Sequence, residues 1–388
     1  MRTRKTLKCR RCPAMIYPES ITRLCADCLR KERALQKPDA LLAVDREQSR
    51  LREDLALTRK KLSASETDVK RLQKELHLTN EIDGLPLDPI VIEPKESSGT
   101  AEGTAVLIAS DWHVEERIDP ATVSYMNAYN LDIAQERAHK FFRSSLRLIR
   151  LLQQDIKIDT TVLALLGDFI TNDIHDEMPE ICQLTPMHAI EFAQNLLVGG
   201  IEFLLNNSQM KLVIPCHSGN HARTTKTTRF ATENGHSLEY LMYRNLANHF
   251  RNEPRVQFRV STGYHSYVDV YGKTLRFHHG HAINYQGGIG GIFIPAFKAI
   301  SQWDKMRQAD IDFFGHFHQH KDGRKFVSNG SLIGFNTYAL SIKADYEPPN
   351  QTLLLLDKKR GRTCTWPILF TSESPLSSVS VNAPRMAA

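Results

Sequence analysis

Long apolar runs are absent from this sequence. No stretch approaches the roughly 18 consecutive apolar residues that a membrane-spanning helix requires. The first 30 residues also lack the apolar stretch that is typical of a signal peptide. We therefore expect a soluble, cytoplasmic protein without a membrane partner.

Cysteine is scarce, with seven residues in 388, and its distribution is uneven. Three cysteines are scattered, whereas the other four form two Cys-x-x-Cys pairs: Cys9, Cys12, Cys25 and Cys28. Disulfides are the alternative interpretation, but a cytoplasmic chain disfavours them. Paired Cys-x-x-Cys motifs predict one structural Zn²⁺ held by four thiolates, in a zinc ribbon over residues 1–37.

Positive charge is concentrated in this first segment. The net charge of the chain is +6, while residues 1–37 hold eleven Lys or Arg against three acidic residues. A basic surface around a zinc ribbon favours contact with the phosphates of nucleic acid, and we expect DNA as the partner. The alternative is a ribbon that binds a protein.

Residues 38–79 show a seven-residue apolar repeat. Leu55, Leu62, Val69 and Leu76 recur at this spacing, and charged residues stand between them. The pattern predicts a coiled-coil helix that forms a homo-oligomer, most simply a parallel dimer. The alternative is one amphipathic helix that packs against the main domain.

The remaining chain has room for one large domain with a sizeable core, since 41% of all residues are apolar. Residues 80–103 are rich in Pro, Glu, Ser and Gly and predict a linker. From residue 104 to 371, apolar strand-like runs such as Ile311–Phe314 alternate with helical spacing such as that of Ile133–Gln154, which predicts a layered α/β domain. After about residue 250, short strands are expected to dominate. The Ser- and Pro-rich tail, 372–388, predicts disorder.

Five short polar clusters punctuate the main domain, and each follows a run that predicts a strand. They are Asp111-Trp112-His113, Gly167-Asp168, Gly219-Asn220-His221, His278-His279-Gly280-His281 and Gly315-His316-Phe317-His318. Open α/β sheets place their sites at the carboxyl ends of strands. We therefore expect these clusters to meet at one site.

The clusters contain Asp, His and Asn but no Cys, which is a ligand set for manganese, iron or zinc. Seven residues are candidate ligands: Asp111, His113, Asp168, Asn220, His279, His316 and His318. Seven ligands are too many for one tetrahedral ion, but they suit two ions that share a carboxylate. A single His or Asp is more often a structural polar residue, whereas five ordered clusters are not.

These clusters resemble the five motifs of the calcineurin-like metallophosphoesterases: D-x-H, G-D, G-N-H, H-G-H and G-H-x-H. The resemblance covers about residues 104–340 and implies a four-layer α/β/β/α sandwich. It implies two divalent metals, most simply Mn²⁺, with Fe or Zn possible. One ion would be held by Asp111, His113 and His318, the other by Asn220, His279 and His316, and Asp168 would bridge them.

The resemblance also implies a catalytic role for His221 beside Asp168. His221 would donate a proton to the leaving oxygen or stabilise its charge, and a metal-bound hydroxide would attack phosphorus. Arg223 and His281 are candidates for contacts with substrate phosphate. Arg223 begins a stretch in which three cations alternate with hydroxyl residues, a composition that suits a phosphodiester backbone.

The family includes protein phosphatases, nucleotide phosphodiesterases and nucleases. The basic ribbon and the coiled coil favour a DNA nuclease similar to the exonucleases of double-strand-break repair, or a phage or prophage enzyme that processes DNA in a bacterial cell. Unlike those repair nucleases, this chain has its appended modules at the N-terminus and no long C-terminal capping region. The alternatives are the same chemistry on a nucleotide or phosphoprotein, and a non-catalytic zinc-ribbon adaptor.

Overall fold

The computed structural model describes most of the chain and divides it into two units. The described residues are 7–8, 10, 12–16, 24–34, 50–67, 70, 90–92, 101–285 and 291–370. The units are Met1–Leu87 and Asp88–Ala388, and each has its own internal contacts. Cys9 and the predicted tail 372–388 lie outside the described residues. Among the described helices, none combines the length and apolarity that crossing a bilayer requires.

The first unit contains a small antiparallel pair and a helix: β1 (Leu7–Lys8), β2 (Met15–Ile16) and α1 (Ala26–Ala34). Three of the four predicted zinc ligands come together there, with their sulfur atoms within 4.8 Å of one another: Cys12, Cys25 and Cys28. Three thiols at this spacing fit a tetrahedral thiolate site. The zinc itself stays a prediction.

A second helix in this unit, α2, covers residues 50–67. All of its side chains are exposed, including four leucines with exposed fractions of 53–59%: Leu51, Leu55, Leu57 and Leu62. Leu55 and Leu62 belong to the predicted heptad seam. Exposed leucines at this spacing are what a partner helix buries in a coiled coil. Self-association through α2 therefore stays a prediction.

The second unit contains two sheets and several helices. In chain order its elements are β3 (Ile90–Ile92), β4 (Ala101–Ala109), α3 (Leu131–Leu152), β5 (Ile156–Lys157), β6 (Thr160–Leu165), α4 (Met178–Ile181), α5 (Pro186–Asn206), β7 (Lys211–Cys216), α6 (Leu238–His249), β8 (Val256–Val260), β9 (Ser266–Val270), β10 (Lys273–Phe277), α7 (Phe293–Trp303), β11 (Ile311–Phe314), β12 (Lys321–Asp322), β13 (Phe326–Ser328), α8 (Thr337–Ser341), β14 (Asn350–Asp357) and β15 (Gly361–Leu369).

The larger sheet has the strand order β15-β14-β4-β6-β7-β8, and β5 pairs with β4. β4, β6, β7 and β8 are parallel, whereas β14 and β15 run antiparallel at one side. The connections through α3 and α5 supply the crossovers that parallel strands need. The first three parallel strands therefore end at the same edge, where Asp111, Asp168 and Asn220 follow them.

The smaller sheet has the order β12-β13-β11-β10-β9-β3. β10 and β11 are parallel, and the fourth and fifth polar clusters follow their ends. β9 and β10 form a hairpin whose two turn residues, Tyr271 and Gly272, both have positive φ, at 53° and 74°. That conformation matches the twist of a two-residue hairpin.

Side chains alternate between the two faces of each strand, and this alternation produces four layers. On β4, Ala105 and Leu107 face a core formed with helices α3, α5 and α6, whereas Val106 and Ile108 face the smaller sheet. Helix α7 covers the other face of the smaller sheet through Ala296 and Ile300. The layers are thus helices, larger sheet, smaller sheet and helix. The predicted α/β/β/α class is confirmed.

The structure differs from the sequence prediction in two regions. Ile90–Ile92, inside the predicted linker 80–103, forms β3 and pairs with β9 in parallel, and β4 begins at Ala101, before residue 104. Helix α7 lies in the region after about residue 250, where short strands were expected to dominate. The cause is the same in both regions, because pairing and packing with distant residues determine the secondary structure there.

Candidate metal centre

The seven predicted metal ligands gather where strands of the two sheets end. Asp111 and His113 follow β4, Asp168 follows β6, and Asn220 follows β7. His279 follows β10 in the other sheet, and His316 and His318 follow β11. The two sheets pack face to face through one apolar core. Ligands from both sheets therefore reach the same site.

Ligand atoms form three overlapping groups in which every atom lies within 4.8 Å of the others. The groups are Asp111, His113 and His318; His113, Asp168 and His221; and Asp168, His279 and His316. Asn220 joins the third group, since its Oδ1 lies 3.1 Å from His279 Nε2. The first and third groups contain no residue in common, so they fit two separate divalent ions.

Asp168 occupies the centre of these groups. Its Oδ2 lies 3.0 Å from His279 Nε2, and its Oδ1 accepts a hydrogen bond of 2.8 Å from the backbone N–H of His221. It also shares a group with His113, which belongs to the first set of ligands. A buried carboxylate placed between two ligand sets fits the predicted bridging position.

The first set shows why a cation suits this site. The Nε2 atoms of His113 and His318 face each other at 3.2 Å, and His318 Nε2 lies 3.4 Å from Asp111 Oδ1. Two imidazole nitrogens at this distance need either a shared proton or a cation between them. Asp111 is fully buried, so its carboxylate also needs a positive partner.

The backbone at the site is held in an uncommon conformation. Five of the seven predicted ligands have a positive φ between 47° and 69°: Asp111, His113, Asp168, His316 and His318. A non-glycine residue in this region costs free energy, of order 1–3 kcal/mol each, and such residues cluster at functional sites. The surrounding fold supports this strain and aims the side chains inward.

The glycines of the clusters make room for the carboxylates. A Cβ on Gly219 would overlap the carboxylate of Asp168, and a Cβ on Gly315 would overlap that of Asp111. The Gly167 position likewise abuts the backbone of Gly219. Glycine is therefore required where the backbone of one loop packs against the metal-ligand side chain or the backbone of another loop.

Hydrogen bonds select the imidazole nitrogens that face the centre. His279 Nδ1 lies 2.6 Å from the carbonyl oxygen of Leu166, and His113 Nδ1 lies 3.1 Å from Thr171 Oγ1. Thr171 in turn donates to Glu116 Oε2 at 3.2 Å. A donor bond from Nδ1 to the carbonyl leaves Nε2 of His279 as the free ligand atom.

The charged side chains of the site strongly affect one another's pKa values. Burial raises the pKa of Asp168, but His279 and His221 outweigh it, so the pKa is well below its usual value. Burial lowers the pKa of His279, but Asp168 raises it to about 10. Burial and then the charge of His279 lower the pKa of His316 to about 3.

Metal binding is therefore expected to release a proton from His279. A metal ligand must be the neutral imidazole, so an ion has to displace the proton that His279 carries at neutral pH. Affinity for Mn²⁺ should rise roughly tenfold per pH unit between about pH 6 and 8. Calorimetry in buffers of different ionisation enthalpy measures the protons released. A proton count of zero with no pH dependence would contradict this arrangement.

His221 lies beside the centre with its orientation fixed. Its Nδ1 lies 2.9 Å from the carbonyl oxygen of Thr171, and its ring centroid is 4.8 Å from that of His113. The Nδ1–H bond leaves Nε2 available for proton transfer. The side chain is partly exposed, as a group that meets substrate must be.

The two predicted phosphate contacts are placed differently. Arg223 donates to the carbonyl oxygens of Asn220 at 2.6 Å and Thr225 at 3.1 Å, so part of its guanidinium stabilises its own loop. The ring of His281 lies 5.6 Å from that of His279 and 6.3 Å from that of His316, next to the centre. A contact with substrate phosphate stays a prediction for both residues.

Sequence reasoning missed two buried carboxylates that hold the ligand loops. Glu239 on α6 accepts hydrogen bonds from Phe169 N–H at 2.6 Å and Gly219 N–H at 2.7 Å. Glu115 accepts from Thr171 N–H at 2.7 Å and Asn172 N–H at 2.8 Å. Burial raises the pKa of Glu239 to about 8 and that of Glu115 to about 7. Glu239 lies inside an ordinary helix, and no local signal distinguishes it.

Removing the Glu239 carboxylate is expected to weaken metal binding. Glu239 joins the loop of Asp168 to the loop of Asn220, so Glu239→Ala leaves both N–H groups without an acceptor. Loss of such a supporting group typically lowers metal affinity 10–100-fold. Titration with Mn²⁺ checks this, and Glu191→Ala, an exposed position on α5, is the matched control. Unchanged affinity would show that the loops hold their positions without Glu239.

Comparison with known proteins finds similar structures but no similar sequences. No protein-family model matches the sequence, and no curated protein is similar to it in sequence. Among solved structures, a hypothetical protein of Pyrococcus horikoshii has 11% identity and a TM-score of 0.34, with 69% of this chain and 89% of that chain covered. Chaetomium thermophilum Vps29 has 11% identity, a TM-score of 0.25 and coverages of 69% and 97%.

A third neighbour is a dimetal phosphatase from Danio rerio. It has 8% identity and a TM-score of 0.33, with 69% of this chain and 99% of that chain covered. Similarity at this level does not assign a role to any residue of this chain. The chemistry of the centre follows from its own side chains.

Proposed function

We propose that this protein is a two-metal phosphodiesterase that cleaves DNA, with Mn²⁺ as the preferred ion. One observation carries the proposal: six further carboxylate, imidazole and amide ligands from two sheets gather around the buried carboxylate of Asp168. Two ions about 3.5–4 Å apart are suited to clamp the attacking and leaving oxygens of phosphoryl transfer.

The proposed assignment keeps the two ligand sets separate. Asp111, His113 and His318 would hold one ion, whereas a second set would hold the other: Asn220, His279 and His316. Asp168 would be shared by both. When bound, the ions lower the pKa of coordinated water and neutralise phosphate charge. Several ligands are already held in place, because the carboxylates of Asp111 and Asp168 and the Nδ1 atoms of His113 and His279 have fixed partners.

His221 acts on the leaving group in this proposal. Its Nδ1 is held by the Thr171 carbonyl, so Nε2 faces the phosphate and can donate a proton to the departing oxygen. The same nitrogen can instead stabilise the negative charge that develops there.

Basic surfaces favour DNA over other phosphodiesters. Lys226 and Arg229 are exposed on the loop that follows His221. Residues 1–37 carry eleven Lys or Arg against three acidic residues. Cations on both units suit a polyanion, and electrostatic contacts to phosphates dominate the affinity for DNA. The zinc ribbon is then a DNA-binding module, and a coiled-coil dimer carries two of them.

A cleavage assay with Mn²⁺ tests the proposal. The full chain is given linear duplex DNA, single-stranded DNA and bis-p-nitrophenyl phosphate. Cleavage of DNA supports the nuclease function, and the product ladder distinguishes cutting at ends from internal cutting. Cleavage of the small diester alone would keep the chemistry but exclude DNA. A chain that binds the metals and cleaves none of the three would contradict the proposal and favour an adaptor.

The role of the ribbon has its own test. Deletion of residues 1–37 should weaken DNA binding and reduce its salt dependence, because fewer counterions are then released. Hydrolysis of bis-p-nitrophenyl phosphate should not change, since the metal centre lies in the other unit. Unchanged DNA affinity and salt dependence would instead indicate that the ribbon binds a protein.

A further inference from the structure

Phe230 is an exposed aromatic residue near the metal centre. It lies on the loop between His221 and α6, and 49% of its side chain is exposed. One face of its ring stacks on His281, with centroids 5.3 Å apart and an interplanar angle of 25°. Tyr264 packs beside both rings, at 5.6 Å from Phe230 and 5.1 Å from His281.

His281 provides a flat support for Phe230. Among the described residues, neither of its ring nitrogens has a hydrogen-bond partner. Tyr264 is fixed in turn, because its hydroxyl accepts a hydrogen bond of 2.9 Å from Ala282 N–H. The three rings form a rigid platform, here called the aromatic platform: Phe230, Tyr264 and His281.

The aromatic platform adjoins both the ligands and the basic loop. The ring of His281 lies 6.3 Å from that of the predicted ligand His316. Phe230 directly follows Arg229, and Lys226 lies four residues before it on the same exposed loop. Exposed aromatic rings interleaved with cations are the composition with which proteins bind single-stranded nucleic acid.

We propose that Phe230 stacks on an unpaired nucleobase next to the scissile phosphate. The inference rests on the proposed phosphodiesterase function and narrows its substrate to single-stranded or locally unpaired DNA. One ring-to-ring step separates Phe230 from His281, and another separates His281 from His316. A base on Phe230 and a phosphate at the ligands therefore belong to the same nucleotide or to adjacent ones. Because every base has a π-face, stacking imposes no strong sequence preference.

Tryptophan fluorescence tests the stacking without requiring catalysis. Phe230→Trp is mixed with a phosphorothioate thymidine oligonucleotide, which resists cleavage, or with an abasic oligomer of the same length. The thymidine oligomer should quench the emission of this variant beyond any change in the wild type, and the abasic oligomer should not. Phe297→Trp is the control, because Phe297 is similarly exposed but packs on Phe326. Equal responses to both oligomers would overturn the proposal.

Kinetics separate this inference from the proposed function. Thymidine 5′-p-nitrophenyl phosphate and methyl p-nitrophenyl phosphate share a leaving group and differ in the nucleoside. Phe230→Ala should lower kcat/KM for the thymidine ester about 5- to 100-fold, as expected for one lost base stack, and change it less than about twofold for the methyl ester. Phe297→Ala should change neither.

Each outcome assigns the failure to one proposal. The stacking role would be overturned if Phe230→Ala lowered kcat/KM equally for both esters, or for neither, and the quenching were not selective. The proposed phosphodiesterase function would not be affected by that result. Selective quenching by the thymidine oligomer, in a chain that hydrolyses neither ester, would support base stacking on the aromatic platform and contradict the phosphodiesterase function.

Discussion

Asp168→Asn is expected to abolish phosphodiester hydrolysis, with a loss on the order of a thousandfold or more. The amide keeps the size of the side chain and an oxygen that accepts from His221 N–H. It removes the negative charge that a bridge between two cations requires. It also removes the partner that raises the pKa of His279. The chain should therefore fold normally but bind fewer than two ions.

The measurements are the rate with bis-p-nitrophenyl phosphate and the number of Mn²⁺ ions bound per chain. Asp176→Asn is the matched control, because Asp176 is exposed and follows the same strand. It should keep both the rate and the ions. Full activity of Asp168→Asn with two ions bound would show that Asp168 does not bridge them.

His221→Asn should lose turnover while keeping the metals. The asparagine amide can still donate to the Thr171 carbonyl in place of Nδ1, so the loop keeps its contact. The nitrogen at Nε2 is removed, and with it the proton for the leaving oxygen. The rate of DNA cleavage should fall about 10²–10⁴-fold.

A comparison of two substrates with different leaving groups gives a second test of the role of His221. p-Nitrophenolate needs little protonation, so the loss with bis-p-nitrophenyl phosphate should be smaller than the loss with DNA. His175→Asn, at an exposed position, should affect neither substrate. Equal losses on both substrates together with lost metal would instead mean that His221 is a metal ligand, as its grouping with His113 and Asp168 also permits.

The gathering of the five polar clusters could be predicted because the information for it is local. Each polar cluster directly follows a buried, apolar strand, and parallel strands place their ends at one edge. Strand β11 was predicted with its observed bounds, Ile311–Phe314, and the helix predicted at Ile133–Gln154 is observed at Leu131–Leu152. Apolar periodicity is strong in such segments, and tertiary contacts reinforce it.

The supporting residues could not be predicted in the same way. Glu239 and Glu115 look like ordinary acidic residues in sequence, and their function depends on backbone N–H groups that the fold brings to them. The short strand Ile90–Ile92 depends on β9, which lies far along the chain. The stack of Phe230 on His281 joins residues that are fifty-one positions apart. Such contacts are set by tertiary structure rather than by local pattern.

The most direct test of the central claim is electron paramagnetic resonance of the full chain loaded with two equivalents of Mn²⁺. The claim is that residues at the strand ends hold two ions bridged by Asp168. Two bridged Mn²⁺ ions at about 3.5–4 Å are magnetically coupled, so the spectrum should be that of an exchange-coupled pair. A spectrum of isolated, uncoupled Mn²⁺ at every loading would contradict the two-metal centre and the hydrolytic chemistry derived from it.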